Sequence, residues 1–275
     1  MRGFAPAQAP RFAGRLGIDA LVVQTARRDW FLSPGSDALA QALSRATERY
    51  AEVTATGFSM GGYAALLYSA ACHARRVLAV SPQYCIDPAL APFDPGRQEK
   101  FARIGRAMPR PESQGDTGIG GLLIHDPTIA ADRDHAALIR AGFPGLTAVA
   151  LPYGGHPATG LIGEAGGIGQ LAEMLIRDRI DPQAIRRMHR AARRASAGYR
   201  LRLAQAALPR HPSRALAELR ALATGASART SIEATLILLE QGDDSAAPLL
   251  SALLETTPQI PPGLLRRLQR ALDRA

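Results

Sequence analysis

Up to about residue 176 the chain alternates short apolar runs with longer amphipathic stretches. The runs are Ala20–Thr25, Val53–Gly57, Arg76–Ser81, Gly121–His125 and Leu146–Leu151, each bounded by turn residues. Between them the spacing predicts helices over 36–49, 60–72, 132–141 and 167–178. Runs that are apolar on both faces and separated by helices predict βαβ units and a parallel sheet covered on both sides. After a seam near 177–183 the strand pattern stops. Helical periodicity follows at 183–207, 212–223, 229–240, 245–255 and 262–273, broken by Pro209, Pro212, Gly225, Gly242, Pro261 and Pro262. The expected organisation is an α/β domain over 1–178 and an all-α region of helical hairpins over 179–275. The hairpins would be of a tetratricopeptide-like kind, though they show no clean repeat period.

Charge sharpens that division. The 275 residues carry 33 Lys+Arg against 24 Asp+Glu, net +9. Residues 1–176 hold 16 basic and 15 acidic residues, whereas 177–275 hold 17 and 9. The positive charge therefore belongs to the helical part, almost wholly as arginine, since Lys100 is the one lysine. The Arg186–Arg194 run reads as a solvated helix face. Tyr199 is the one aromatic near it, which argues against single-stranded nucleic acid as a partner. No apolar run approaches the roughly 20 residues of a membrane span. The first ten residues lack the apolar stretch of a secretory leader. Two cysteines, Cys72 and Cys85, are too few for a disulfide framework or a cysteine zinc site. A cytoplasmic protein is the expectation.

The segment with most chemical content is Val53-Thr-Ala-Thr-Gly57-Phe58-Ser59-Met60-Gly61-Gly62-Tyr63. It carries G-x-S-x-G after a predicted strand and before an apolar helix, the context in which a serine is held on a sharp turn. Gly57 and Gly61 are expected to keep Cβ atoms out of that turn. The Met60 N–H, at the start of the helix, is placed to donate to an oxyanion. A nucleophilic serine needs a base and an acid that orients it. His156, in the glycine-rich loop Leu151-Pro-Tyr-Gly-Gly-His156 after the last run, is the candidate base. His125, at the end of a strand, reads as a core or supporting residue. Three carboxylates compete to orient the base: Asp126, Asp132 and Asp134. Asp126 stands directly at a strand's C-terminal end and is preferred. Asp132 and Asp134 fall where a helix N-terminus favours acids for structural reasons.

On these residues, 1–176 resembles an α/β-hydrolase fold serine hydrolase, with Gly57-Phe-Ser59-Met-Gly61-Gly as the nucleophile elbow, Asp126 as acid and His156 as base. The resemblance implies a parallel sheet core, an acyl-enzyme and no cofactor. It also implies a second oxyanion N–H from a turn near the N-terminus, for which Arg2-Gly3-Phe4 is the match, with Phe4 or Ala5 as donor. In that family one more strand precedes the equivalent of Ala20–Thr25, so the sheet is expected to lack N-terminal strand(s). The longest candidate cap is 85–119.

The implied reaction is cleavage of a carboxylic ester, on a small molecule or linked to a glycan. An acyltransferase would use the same triad, and a non-catalytic scaffold with the fold is the reading from a different class. The helical tail would meet a protein partner. Arg28-Asp29-Trp30 follows the first run, where Trp30 is read equally as a pocket or a core residue. No His/Cys/Asp cluster has metal spacing. Gly167-Ile-Gly169 does not follow a first strand as a dinucleotide loop would.

Overall fold

The structure, a computed structural model, describes residues 6–27 and 29–256 together with Phe4, Leu265 and 267–269. In chain order the elements are α1 (Arg11–Leu16), α2 (Ser36–Thr47), β1 (Thr54–Phe58), α3 (Met60–Leu67), β2 (Arg76–Val80), α4 (Gln98–Ile104), β3 (Gly120–His125), α5 (Ala130–Gly142), β4 (Leu146–Ala150), α6 (Gly160–Glu164), α7 (Ile168–Ile176), α8 (Pro182–Ala192), α9 (Ala197–Ala207), α10 (Pro212–Gly225), α11 (Ala228–Glu240) and α12 (Ala246–Thr256). The chain divides into two compact units, residues 1–190 and 191–275.

The first unit is α/β. Its four strands lie in the order β1-β2-β3-β4, every pair parallel. Alternation along the strands feeds two cores, as a period of two requires. Val77, Ala79 and Leu123 face a cluster with Tyr63, Leu66 and Leu67 of α3 and Ala136, Ile139 and Phe143 around α5. Leu78, Val80, Leu122, Ile124 and Val149 face the other, with Leu171 and Leu175 of α7 and Ile185 of α8. The crossover helices α3 and α5 thus share one face, as same-handed crossovers in a sequentially ordered sheet must. Gly121 allows β2 and β3 to approach. Its φ is +137°, and a Cβ there would lie 2.1 Å from the Val77 carbonyl oxygen.

Four of the five predicted strands form, and the first does not. Residues 20–25 form neither helix nor strand and have no ladder partner among the described residues, and Leu21, Val22 and Val23 are exposed. An apolar run becomes a strand only where a neighbour takes its backbone groups. Among the described residues β1 has a strand on one side alone, β2, and residues 20–25 do not fill the other. Trp30 resolves to core: it is 2% exposed, among Leu43, Tyr63 and Tyr68. The 85–119 segment also joins the core, through Ile86, Met108 and Ile119.

The division falls beyond the compositional seam because α8 sends Ile185 and Met188 against the α7 face of the sheet. The predicted helix over 183–207 is two helices, α8 and α9. Ser196 ends the break between them, its hydroxyl accepting from the Tyr199 N–H as an N-cap does. The second unit is all helical among its described residues. Its core gathers Leu201 and Ala204 from α9, Leu219 and Leu222 from α10, and Ala234 and Leu238 from α11. The predicted helix over 262–273 lies largely outside the described residues, of which Leu265 and 267–269 are helical. No helix among the described residues is long and apolar enough to cross a membrane.

Arginine in this unit pairs with its acids: Arg200 with Glu218, Arg220 with Asp243, Arg229 with Glu233 and Arg267 with Glu240. Asp243 organises the α11–α12 turn. Its carboxylate accepts from the Arg220 guanidinium, the Ser245 hydroxyl and the Ser245 N–H. Those donors, Arg220 foremost, lower its pKa to about 2. A carboxyl lowered on folding stabilises the fold above its unfolded pKa, and that contribution is lost as pH falls through the folded value. Between about pH 4 and pH 2 the second unit should lose on the order of 1 kcal/mol from this site, screening by the exposed Arg220 taken into account. Asp243→Asn should show a similar loss already at neutral pH and a flatter acid limb. Urea titrations followed by circular dichroism over a pH series would measure both.

Candidate functional site

The parallel sheet brings the loops after all four strands to one edge, where Ser59, Gln83, Asp132 and His156 converge. Ser59 follows β1 directly and takes φ +52°, ψ −119°, a conformation that costs a side-chain-bearing residue on the order of 1–3 kcal/mol. The turn is fixed at both ends. The Ser59 N–H donates to the Val80 carbonyl at 2.9 Å, and the Ser59 carbonyl accepts from the Gly62 N–H at 2.9 Å.

The turn needs two glycines, but they are not the expected pair. A Cβ on Gly57 would lie 1.9 Å from the Gly61 carbonyl oxygen, and one on Gly62 would lie 2.8 Å from Pro82 Cβ. A Cβ on Gly61 would meet nothing within 4 Å. The expectation for Gly61 is therefore corrected to Gly62: the close approach is between the start of α3 and the loop after β2.

His156 Nε2 lies 2.8 Å from Ser59 Oγ. The other ring nitrogen, Nδ1, lies 2.9 Å and 3.0 Å from the two carboxylate oxygens of Asp132. A carboxylate can only accept, so Nδ1 carries the proton and Nε2 is left to accept from the serine hydroxyl. The imidazole is 26% exposed and Asp132 is buried.

Asp126, preferred from the sequence, does not meet His156. It is wholly buried, and its Oδ1 accepts from the Thr128 N–H (2.9 Å), the Thr128 hydroxyl (2.6 Å) and the Tyr153 N–H (3.1 Å). Oδ2 accepts from the Gly155 N–H at 2.8 Å. Asp126 thus ties the β3 loop to the loop that carries His156, and Asp132 in the first turn of α5 faces the ring. The physical reason lies in local chemistry. An aspartate with a threonine two residues on is captured by its own turn, which leaves the next carboxylate free for the histidine. The Asp126-Pro-Thr128 pattern could have signalled this. Asp134 pairs with Arg133 instead, its Oδ1 2.9 Å from Nε. His125, at the end of β3, is partly buried; burial lowers its pKa, and its Nδ1 has no partner among the described residues.

The Met60 N–H, at the first position of α3, has no hydrogen-bond partner among the described residues. Phe4, expected to supply a second N–H, is 68% exposed and makes no hydrogen bond to the site; Ala5 and the Arg2-Gly3 part of that turn lie outside the described residues. Sequence reasoning missed Gln83. It is 1% exposed, and its carboxamide lies beside the serine, Nε2 at 3.1 Å and Oε1 at 3.2 Å from Ser59 Oγ. No group of three or more His, Cys, Asp or Glu residues able to hold a metal occurs among the described residues.

The chain matches no family model, no curated protein and no solved structure.

Two stability experiments test this construction. Gly57→Ala and Gly62→Ala should each lower stability by about 1–3 kcal/mol through overpacking against backbone or proline, whereas Gly61→Ala should stay within about 1 kcal/mol of the parent. Thermal denaturation of the three variants would rank them. Asp126→Asn places an amide donor against an N–H or hydroxyl donor in a dry site. It should cost about 3 kcal/mol, read as a fall in the urea midpoint, with Asp134→Asn near parental as the control.

Proposed function

We propose that the protein is a serine hydrolase that cleaves a carboxylic ester through Ser59, His156 and Asp132. The observation that carries the reading is the continuous hydrogen-bonded line from Ser59 Oγ through both nitrogens of His156 to a buried carboxylate. The left-handed backbone of Ser59 at a strand-to-helix turn supports it, since such strain survives only where the surroundings enforce it.

In this reading Ser59 Oγ attacks the acyl carbonyl carbon while its proton passes to His156 Nε2. The new C–O bond forms as the carbonyl π pair moves onto oxygen, and the Met60 N–H donates to that oxyanion. Collapse expels the alcohol, which takes the proton back from Nε2. Water repeats the sequence and frees the acid. Asp132 holds the ring with Nδ1–H inward and stabilises the imidazolium formed in each half. Asp126 has a positioning part, because its bonds to the Tyr153 and Gly155 N–H groups hold the loop on which His156 rides.

A fluorophosphonate probe tests the reading. Ser59 should be labelled in the parent, unlabelled in Ser59→Ala, and labelled far more slowly in His156→Ala. Asp132→Asn should lower kcat for p-nitrophenyl acetate by about 10⁴-fold while leaving the fold intact. An unlabelled but folded parent would support the non-catalytic scaffold. A product acylated on an added alcohol in preference to water would indicate an acyltransferase.

A further inference from the structure

We infer that Gln83 is the second oxyanion donor of this site, supplied by a side chain from the loop after β2. The inference rests on the serine hydrolase reading above.

Gln83 is unusual for a buried glutamine. A carboxamide has two donors and an acceptor with two lone pairs, and burial normally demands several partners. Among the described residues its side chain has one, Ser59. A structural glutamine would tie loops together, as Asp126 does nearby; this one is directed at the serine oxygen alone.

The orientation follows from the histidine. The Ser59 proton is committed to His156 Nε2, so Oγ can only accept from Gln83, which must turn its Nε2–H₂ toward the serine. When Oγ bonds to an acyl carbon, the oxyanion is separated from Oγ by that one carbon. A donor at 3.1 Å from Oγ is then within reach of the oxyanion. A neutral amide donor on a rigid support is the kind of group that stabilises developing negative charge at no cost of reorganisation.

The support is rigid on each side. Pro82 packs against Gly62 at the start of α3. The Ser81 hydroxyl accepts from the Ala158 N–H at 3.0 Å. The Tyr84 N–H donates to His135 Nδ1 at 3.2 Å, which leaves His135 Nε2–H to donate to Asp94 at 3.1 Å. The Tyr84 hydroxyl donates to Glu112 at 2.6 Å. Gln83 is thus held between anchored neighbours, Ser81 and Pro82 before it and Tyr84 after it, with the Met60 N–H as the other donor on the α3 side of the serine.

The experiment compares the parent, Gln83→Leu and Gln83→Glu with p-nitrophenyl acetate as substrate and 1,1,1-trifluoroacetone as a ketone that forms a tetrahedral oxyanion on serine. Expected is a fall in kcat of about 10²–10³ in both variants, with KM within a few-fold of the parent. Inhibition by the ketone should weaken by the same factor as kcat/KM. Gln83→Glu keeps the shape and as the carboxylate removes the donor, so its kcat measured at alkaline pH, where the carboxyl is ionised, carries the test if the leucine variant fails to fold. In the parent, the ¹⁵N-labelled Gln83 amide resonance should shift on ketone binding. Variants with parental kcat and ketone affinity, or an amide resonance that does not move in the adduct, would overturn the role. A parent that neither hydrolyses the ester nor takes the fluorophosphonate overturns the hydrolase reading and this role with it, whereas an active parent with silent Gln83 variants overturns this role alone.

Discussion

The parallel ladder is the constraint on which the site depends. Phe58, Val80 and Ile124 lie side by side in register, and His125 pairs with Ala150 one residue further along. Because every strand points the same way, the four residues that leave the sheet next do so at one edge. The hydrogen bonds just beyond the strands continue the ladder: Ser59 N–H to Val80, Ser81 N–H to Ile124 and Leu151 N–H to His125. Ser59, the 81–84 loop, the 126–132 segment and the 152–156 loop are therefore fixed relative to one another by backbone geometry before any side chain contributes. An antiparallel exchange at any pair would send one of these loops to the far edge and dissolve the constellation.

Within that frame two carboxylates, Asp126 in the loop after β3 and Asp132 in the first turn of α5, do different work, and the difference is set by what donates to each. Asp126 is satisfied by backbone N–H groups and a hydroxyl, donors that hold a loop in place. Asp132 is met by an imidazole N–H, and in the proposed reaction the proton count of that ring changes. In the hydrolase reading the first makes the position of His156 independent of the chemistry. The second makes the ring's orientation depend on it. In the same reading, a single carboxylate serving both purposes would let proton movement on the ring disturb the loop that carries it.

Much of this was legible in the sequence. The four strands, the helices α3 and α5, Ser59 at its turn and His156 in its glycine-rich loop follow from run length, period and the G-x-S-x-G spacing, all of which are local, whereas α4, inside the 85–119 segment, is not among the predicted helices. What was not legible depended on tertiary partners. Residues 20–25 have the composition of a strand, but a strand is a property of a pair, and no pairing is written in one segment. The preference for Asp126 weighed chain position and missed that Thr128 captures it. Gly61 sits in the motif, yet the close approach falls on Gly62, because Pro82 arrives from twenty residues away in sequence. Gln83 belongs to no motif, and only its burial beside the serine distinguishes it.

The seam shows the same limit from another side. Charge and glycine content change near 177–183, but α8, arginine-rich on the exposed part of its surface, still places Ile185 and Met188 against the α7 face of the sheet. Composition averages over a helix's whole circumference, whereas packing is decided by one stripe of it. A helix can thus belong by charge to the unit after it and by its apolar stripe to the unit before it. Packing decides where such a helix folds, because burying Ile185 is worth about 2 kcal/mol, whereas exposed arginines contribute little wherever they lie.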